Sequence, residues 1–236
     1  MKNKNILILG STGFIGRSLT KKLLSKGHQI TSPVRNPDKV KRNILSGDIG
    51  QINIIPFNVS NLYSIEADIK EADIIVNLLG ILFEKPNRSF DTIHYHVPKV
   101  ISDITNKYNK RFIHISSLGS TTETKSSYLY SKALGEHYIE TNHNNYSIIK
   151  PSIVFGEEDN FLNQFGYMTK FLPFLPLYKK GNTKFQPIYL DDLTSFISKI
   201  IDSDDSNFLN KSIDAVGPNI YSFKEILEMI FEIVKK

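Results

Sequence analysis

The feature that most constrains this chain is a short apolar segment followed directly by three evenly spaced glycines. Ile6–Leu9 is an unbroken apolar run, as expected for a parallel strand that is buried on both faces. Gly10, Gly13 and Gly16 follow, and apolar residues then recur with helical spacing. A strand, a glycine-rich turn and a helix in this order form a pyrophosphate site, because amides at the helix start face the phosphates. The segment therefore predicts a dinucleotide-binding α/β fold.

Each glycine has its own task in this prediction. Gly10 permits a tight turn off the strand, Gly13 leaves room for a pyrophosphate, and Gly16 lets the helix lie close to the sheet. The alternative is a turn that is tight for packing reasons alone. The cofactor-binding residues predicted in this turn are Gly10, Thr12, Gly13, Phe14, Ile15 and Gly16.

The length and composition fit one Rossmann-type α/β protein. We expect a doubly wound parallel sheet, with residues 1–156 forming the dinucleotide-binding domain and residues 157–236 a small C-terminal lobe partly interleaved with that sheet. Hydrophobic residues make up 40% of the 236 residues, but no apolar run is long enough for a transmembrane helix. The first strand also begins too early for an export signal. We therefore predict a cytoplasmic protein without a transmembrane segment.

The amino-acid composition excludes several kinds of site. The sequence contains no cysteine, which rules out disulfides, thiolate nucleophiles and cysteine-based metal sites. The net charge of +5 is spread along the chain, so no nucleic-acid surface is predicted. His94 and His96 lack a third ligand at useful spacing, so no metal site is predicted either.

The end of the second predicted strand, His28–Val34, decides the choice of cofactor. Sites that select NAD carry an acidic residue about 20 positions after the glycines, where it binds the adenosine ribose. Here no acid occurs before Asp38, and Arg35 is placed to pair with a 2′-phosphate, helped by Ser32. We therefore predict a preference for NADP(H) over NAD(H). The alternative is that Arg35 is a solvated loop charge.

Further cofactor contacts are expected at the ends of the next strands, because the carboxyl ends of parallel strands line the ligand crevice of a doubly wound sheet. Two strands are predicted, one within Ile52–Phe57 and one at Ala72–Leu79. The first is followed by an asparagine whose amide can reach the adenine ring. The second ends in a glycine that lets the backbone approach the cofactor or simply ends the strand. The predicted contacts are Asn58, Val59, Leu79 and Gly80.

A tyrosine and a lysine four residues apart form the candidate catalytic pair. Tyr128 and Lys132 share one face of a predicted helix, which follows the predicted strand Arg111–Ser117. Lys132 would hold the nicotinamide ribose and lower the pKa of Tyr128, leaving the tyrosine to exchange a proton with a carbonyl or hydroxyl. The same spacing begins at Tyr95 and Tyr146, so the location after a serine-bearing strand end is what favours Tyr128.

Two residues complete the predicted nicotinamide end of the crevice. Ser116 lies at the end of the fifth predicted strand, and Pro151 directly follows the sixth, Tyr146–Lys150.

A helix is predicted over Asp91–Tyr108, with Pro98 either kinking it or marking a late start.

The C-terminal part of the sequence is less regular. The proline-broken apolar stretch Phe171–Lys180 is compatible with a substrate lid, a docking surface, a membrane-touching loop or packing within the lobe. A short strand is predicted at Phe185–Leu190, followed by a helix that Asp191 and Asp192 cap. Ser222 and Glu225 form a capping box for a final helix.

These landmarks resemble the short-chain dehydrogenase/reductase superfamily in its extended, epimerase-like branch. The motifs are Gly10-x-x-Gly13-x-x-Gly16, Asn77–Gly80, Ser116–Ser117, Tyr128-x-x-x-Lys132, Lys150–Gly156 and Tyr189–Asp192. More narrowly, the sequence resembles the NADPH-binding accessory subunits of respiratory complex I and their bacterial relatives. That likeness rests on Val76–Gly80, Phe112–Ser116, Lys132–Glu136, Phe155–Asn163, Gln186–Tyr189 and Val216–Pro218.

The narrower resemblance implies bound NADPH with a structural or assembly role, a respiratory-complex or membrane-associated protein partner, and a location peripheral to the inner face of the membrane. Active members of the superfamily carry a Ser or Thr where this chain has Leu118, so the usual triad is incomplete unless Ser116, Ser117 or Ser120 replaces it. The rival hypothesis is an oxidoreductase or epimerase that uses Tyr128 on a carbonyl, sugar-nucleotide or quinone-precursor substrate. A redox-sensing regulator would share the same cofactor site.

Overall fold

The computed structural model describes residues 3–40, 48, 50–86, 88–159, 161–169, 181–203 and 206–234. The stretch Phe171–Lys180, for which the sequence left several interpretations open, lies outside these residues. The strands are β1 (Asn5–Leu9), β2 (Gln29–Val34), β3 (Ile52–Pro56), β4 (Ile74–Asn77), β5 (Arg111–Ile115), β6 (Tyr146–Pro151), β7 (Val154–Phe155), β8 (Lys184–Phe185), β9 (Ile188–Tyr189), β10 (Lys211–Ala215) and β11 (Tyr221–Ser222). The helices are α1 (Phe14–Ser25), α2 (Glu66–Glu71), α3 (Val97–Lys107), α4 (Ser127–Asn142), α5 (Leu162–Thr169), α6 (Leu190–Asp202) and α7 (Phe223–Val234).

Seven strands form one parallel sheet in the order β3-β2-β1-β4-β5-β6-β10. From β1 the chain adds β2 and β3 on one side of β1. It then crosses to the other side, where β4 pairs with β1. The strand order therefore reverses between β1 and β4, and in such sheets the ligand crevice lies outside the carboxyl ends of the strands at that point. The predicted doubly wound α/β fold is confirmed.

The central strand β1 is buried on both faces. Ile6 and Ile8 pack in a cluster with residues of α1 and α6, whereas Leu7 and Leu9 pack on the opposite face with residues of α2 and α3. Full burial of each such side chain stabilises the fold by about 1.5–3 kcal/mol. Helices on both faces explain why the sequence of this strand is continuously apolar rather than alternating.

The two strands that neighbour β1 pair with it over different lengths. Its pairing with β4 continues to Leu9 opposite Asn77, but its pairing with β2 ends at Leu7 opposite Thr31. Pro33 lies in β2 beyond that last pair, where its lack of an N–H costs no hydrogen bond to β1. The carboxyl ends of β1 and β2 are therefore not paired with each other next to the glycine-rich turn.

Several predicted elements differ from the structure. The predicted strand Phe185–Leu190 is divided at Gln186–Pro187 into β8 and β9, which belong to separate two-stranded sheets. The edge strand β10 was not predicted, because its exposed polar residues mask the strand pattern. Asp191 and Asp192 lie in the first turn of α6, whereas its N-cap is Tyr189, so the predicted aspartate cap is wrong.

Two predictions about helix starts are resolved by the structure. Ser222 and Glu225 form the predicted capping box, since the Glu225 amide donates to the Ser222 hydroxyl at 3.2 Å and the Ser222 amide donates to the Glu225 carboxylate at 2.6 Å. The segment Asp91–His96 is a π-helix that leads into α3. Pro98 occupies the first turn of α3, so the late start is confirmed rather than a kink.

A buried polar node joins the end of α6 to the amino ends of β1 and β2. The Asp202 carboxylate lies 2.7 Å from the Lys26 ammonium and 2.9 Å from Nε2 of His28. Nδ1 of His28 accepts the Lys4 amide at 3.2 Å, so in the neutral ring Nε2 carries the proton and donates to Asp202. Burial opposes ionisation of Asp202, but Lys26 and His28 outweigh it and hold the carboxyl pKa below its ordinary value.

Replacement of Asp202 by Asn is expected to lower the free energy of unfolding at pH 7 by about 1–3 kcal/mol, because the partners of a largely buried carboxylate lose its charge. A carboxylate whose folded pKa is depressed stabilises the protein above its unfolded pKa and loses this effect as the pH falls. The difference between wild type and Asp202→Asn should therefore shrink below about pH 4. Thermal unfolding measures it, with the exposed Asp214→Asn as the matched control; equal losses in both variants would contradict the expectation.

Candidate functional site

The glycine-rich turn is as tight as the sequence predicted. Gly10 adopts φ +84°, and a Cβ there would lie 3.1 Å from the carbonyl carbon of Leu78. A Cβ on Gly16 would lie 2.1 Å from the Gly10 carbonyl oxygen, which no side chain tolerates. The Gly13 amide closes the turn by donating to the same carbonyl at 3.0 Å. Gly10 and Gly16 are thus required by the close approach of the turn to α1 and the loop after β4.

The start of α1 is open to an anionic ligand. Gly13 is its N-cap and is exposed, and a Cβ there would meet only the Gly10 oxygen, at 3.2 Å. No side chain caps α1, and its first turn contains no acidic residue. The first amides of a helix have no intrahelical acceptor and carry the positive end of its dipole. This arrangement fits a pyrophosphate.

Neighbouring side chains hold this turn in place. Nη1 of Arg17 donates to the Thr12 carbonyl at 2.9 Å, and its other terminal nitrogen pairs with Glu158. Phe14 lies against Gly156, whose Cβ would be 3.4 Å from the Phe14 ring. Ile15 packs against the core beneath the helix. Thr12, Phe14 and Ile15 are therefore at the turn, where the sequence placed them.

The predicted adenosine end of the site lies at the carboxyl ends of β2 and β3. Arg35 directly follows β2 and is exposed, and Asn58 is exposed two residues after β3. The side-chain oxygen of Asn58 accepts the Ser60 amide at 3.1 Å, which leaves its NH₂ group for a ligand. Val59 is half-buried and packs against the core. Ser32 is fully buried and hydrogen-bonded to Ser11, so the expectation that it assists Arg35 is wrong.

The loop after β4 brings Gly80 to the candidate catalytic lysine. The buried Asn77 side chain accepts the Leu79 amide at 3.1 Å and donates to Nδ1 of His114 at 3.1 Å. These bonds fix the chain where it leaves the sheet. A Cβ on Gly80 would lie 3.5 Å from Nζ of Lys132. The structure thus joins two predicted site residues that are 52 positions apart in the sequence.

Tyr128 and Lys132 lie on α4 as predicted, but the pKa of Tyr128 differs from the prediction. Lys132 is 3% exposed and its ammonium donates to the Ile115 carbonyl at 3.2 Å. Burial lowers the pKa of Lys132 to about 8, against the opposing effect of Glu136. Burial also raises the pKa of Tyr128, although a hydrogen bond from Ser117 opposes that rise. The expected lowering of the Tyr128 pKa by Lys132 is therefore wrong.

His94, which sequence analysis did not assign to the site, joins the loop after β4 to helix α4. Its Nε2 accepts the Ile81 amide at 3.1 Å, so in the neutral ring Nδ1 carries the proton and donates to the Ser131 hydroxyl at 3.0 Å. Ser131 in turn donates to the Tyr128 carbonyl at 2.8 Å. Burial, with a smaller effect of Lys132, lowers the pKa of His94 to about 3. The one feature of the sequence that drew attention to His94 was its alternation with His96.

Glu136 is a second residue that sequence analysis missed. It lies one turn after Lys132 on α4, and its carboxylate accepts the hydroxyls of Ser116 and Ser120. Nζ of Lys150 lies 3.0 Å from its other oxygen. The Ser116 hydroxyl is therefore directed to a carboxylate. The sequence did contain one signal for Glu136: it lies four residues after Lys132, a spacing that puts both side chains on one face of a helix.

Leu118 and Pro151 meet through their backbones. The Leu118 amide donates to the Pro151 carbonyl at 2.9 Å, which holds the end of β6 against the loop after β5. This contact fixes the backbone of Leu118 beside the end of β6.

The residues that the structure describes contain no helix with the length and apolar character that a membrane span requires. Their His, Asp and Glu side chains also form no group of three that could hold a metal ion.

Known proteins resemble this chain along nearly its whole length. A sequence profile described as NAD(P)H-binding matches residues 10–167. The mitochondrial NADH dehydrogenase (ubiquinone) 1 alpha subcomplex subunit 9 of Arabidopsis thaliana is 30% identical over 232 residues, which cover 97% of this chain and 58% of the relative. The protein of the same name from Dictyostelium discoideum is 32% identical over 226 residues, covering 95% of this chain and 62% of the relative. The chain thus spans less than two thirds of the length of these curated relatives.

A solved structure supports the same fold. The PbgP3 protein from Burkholderia pseudomallei matches with a TM-score of 0.82 at 20% sequence identity, covering 98% of this chain and 81% of that protein. The parallel sheet with its flanking helices agrees with this similarity of fold. The chain belongs to the NAD(P)H-binding family and has a Rossmann-type fold.

Proposed function

We propose that this protein binds NADP(H) at the turn Gly10–Gly16 and uses the bound nucleotide to support the assembly or stability of a respiratory complex I or quinone-related membrane system, rather than to turn over a substrate. The observation that carries the proposal is the lack of a suitable hydroxyl at the usual triad position. The resemblance to the superfamily puts Leu118 at that position, and the hydroxyls of Ser116 and Ser120 both bind Glu136.

The geometry of α1 supports nucleotide binding. Its first turn offers amides without a capping side chain and without an acidic residue, so a pyrophosphate gains hydrogen bonds and a favourable dipole without displacing a protein group. Arg35 supports the choice of NADP(H). It is exposed directly after β2, and a guanidinium binds a phosphate through two parallel hydrogen bonds.

The names of the relatives support a protein partner. Both curated relatives are subunits of an NADH dehydrogenase. We extend that role to this chain, and with it a cytoplasmic location, peripheral at the inner face of the membrane. A nucleotide that bridges β2, α1 and α4 would stabilise the crevice by binding only the folded state.

A second candidate function is favoured by Ser117. Its hydroxyl opposes the rise in the Tyr128 pKa that burial causes, so it is close enough to the phenol to replace the missing hydroxyl in orienting a substrate carbonyl. In this alternative the protein is an NAD(P)-dependent oxidoreductase or epimerase. Tyr128 would exchange a proton with the substrate, and the nicotinamide would accept or donate the hydride.

Gly13→Val tests the main proposal. The new side chain is expected to cover the start of α1 and to lower NADPH affinity by at least about 100-fold, or roughly 3 kcal/mol, while the extended backbone of Gly13 keeps the fold intact. Native mass spectrometry of the protein from its own cells should show bound nucleotide and a protein partner in wild type and neither in the variant. A nucleotide-free variant that keeps its partner and supports normal respiratory NADH oxidation would contradict the structural role.

Arg35→Ala tests the choice of cofactor. Because the guanidinium is expected to bind only the 2′-phosphate, NADPH affinity should fall about 10- to 100-fold and NADH affinity should change less than about 2-fold. Isothermal titration of both nucleotides measures this. Lys70→Ala removes an equal exposed charge from α2 and is the matched control. If both variants weaken NADPH binding equally, the effect is one of net charge, and Arg35 does not select the cofactor.

Tyr128→Phe separates the two candidate functions. The variant keeps the aromatic ring that packs edge-on against His94 at 5.3 Å and loses only the phenol hydroxyl. For a structural role, nucleotide retention and partner binding should stay within about 2-fold of wild type, because neither needs proton transfer. Wild-type turnover of a carbonyl or sugar-nucleotide substrate that falls about 100-fold or more in the variant would establish the enzyme instead.

A further inference from the structure

The loop after β4 is held on both sides of its exposed glycine, Gly80. The amide of the preceding residue donates to the buried Asn77 side chain at 3.1 Å, and the Ile81 amide donates to Nε2 of His94 at 3.1 Å. Gly80 itself is exposed between these two bonds. A Cβ there would lie 3.5 Å from Nζ of Lys132 and 4.0 Å from Nε2 of His94. The loop is therefore anchored where it passes the candidate catalytic lysine.

His94 reaches this loop from the π-helix Asp91–His96, and both its backbone and its ring are held in place. A Cβ on Gly135 of α4 would lie 2.1 Å from the His94 carbonyl oxygen, so the π-helix and α4 are in close backbone contact. The buried His94 ring stacks on Phe90 at 5.3 Å and packs edge-on against Tyr128 at 5.3 Å. Single turns of π-helix occur frequently at functional sites. The ring thus has a fixed place between the loop and α4.

The two nitrogens of the His94 ring bind different elements. Nε2 accepts the Ile81 amide and so carries no proton, which leaves Nδ1 of the neutral ring to donate to the Ser131 hydroxyl at 3.0 Å. Ser131 donates in turn to the Tyr128 carbonyl at 2.8 Å. These three bonds form one continuous chain from the loop to α4. Ser131 therefore fixes the tautomer in which His94 holds the loop.

We propose that His94 is a positioning residue of the nucleotide site, which holds the Gly80 loop, before the nucleotide binds, in the conformation that the nicotinamide ribose of NADP(H) contacts. This inference rests on the proposed binding of NADP(H). A loop that is already ordered in the free protein loses less conformational entropy when a ligand binds, so its order contributes to affinity. Only the half of the nucleotide beside Gly80 and Lys132 should gain from it, because the adenosine half is expected at the ends of β2 and β3.

Three replacements of His94 separate its two bonds from its packing. His94→Gln puts an amide oxygen near the place of Nε2 and keeps an acceptor for Ile81, whereas His94→Asn puts an amide nitrogen near Nδ1 and keeps a donor to Ser131. His94→Phe keeps the aromatic packing and neither bond. His143→Phe is the matched control. His143 is also buried and its Nδ1 accepts the Asn145 amide at 3.0 Å, but it lies at the C-terminal end of α4, next to the amino end of β6.

Two ligands test which half of the nucleotide depends on His94. Isothermal titration measures the affinity of each variant for NADPH and for adenosine 2′,5′-bisphosphate, which lacks the nicotinamide ribose. Hydrogen exchange of the Ile81 amide, followed by NMR without nucleotide, reports whether the loop is held. Thermal unfolding shows whether each variant is folded. A residue that serves stability alone would affect both ligands equally.

NADPH affinity should fall about 10-fold in His94→Phe and His94→Asn, because the Ile81 amide loses its acceptor and the loop its order. His94→Gln should stay within about 3-fold of wild type, because its side chain restores the acceptor. Affinity for adenosine 2′,5′-bisphosphate should change less than about 2-fold in all three variants, and His143→Phe should bind both ligands within about 2-fold of wild type. The Ile81 amide should exchange faster only in the variants that weaken NADPH binding.

Ser131→Ala decides the matter if the His94 variants unfold. It leaves the ring in place and removes the partner that fixes its tautomer. NADPH affinity should fall about 5-fold, with adenosine 2′,5′-bisphosphate again changing less than about 2-fold. Where His94→Phe is folded, adding Ser131→Ala to it should cause no further fall, because the serine acts on the loop only through the histidine.

Equal losses for both ligands, or a loss in His143→Phe as large as that in His94→Phe, would overturn the proposal and assign His94 to general stability. A folded His94→Phe that binds NADPH as tightly as wild type would overturn it too. In each of these cases wild type still binds NADPH, so the proposed function stands. Wild type that fails to bind NADPH would instead overturn the proposed function, which makes the two failures distinguishable.

Discussion

The close approach between Gly16 and the Gly10 carbonyl is the contact on which the rest of the structure depends. A Cβ on Gly16 would lie 2.1 Å from that oxygen, so the distance between β1 and α1 is available only to glycine. It directs the first turn of α1 toward the crevice at the carboxyl edge of the sheet. The remaining crevice elements, the loop that ends at Gly80 and the helix that carries Tyr128, are arranged around that opening.

Hydroxyl groups behind the crevice are distributed differently from what a complete catalytic triad requires. The hydroxyls of Ser116 and Ser120 donate to the buried Glu136, and Ser117 opposes the rise in the Tyr128 pKa that burial causes. A buried carboxylate needs several donors to offset its desolvation, which accounts for two of the three serines. The hydroxyls of Ser116 and Ser120 are therefore engaged by Glu136 rather than directed into the crevice.

Elements whose evidence is local in the sequence were predicted well. The strand β1, the glycine-rich turn and the Ser222–Glu225 capping box depend on neighbours within a few residues, and all three are in the structure. Predictions failed where pairing is long-range. The edge strand β10 is recognised only through its register with β6, and the division at Gln186–Pro187 arises because the two halves pair with different strands. The π-helix before α3 leaves no periodic signal of its own.

By itself the sequence determined the fold class, the pyrophosphate turn and the face of α4 shared by Tyr128 and Lys132, because glycine spacing, apolar runs and helical periodicity act over short distances. Only the tertiary structure decided the protonation of that pair and the roles of His94 and Glu136. Burial sets the pKa of a side chain, and burial depends on elements distant in the chain that pack around it. The partners of a buried hydroxyl or carboxylate are likewise decided where strand ends and helices meet, which no local pattern records.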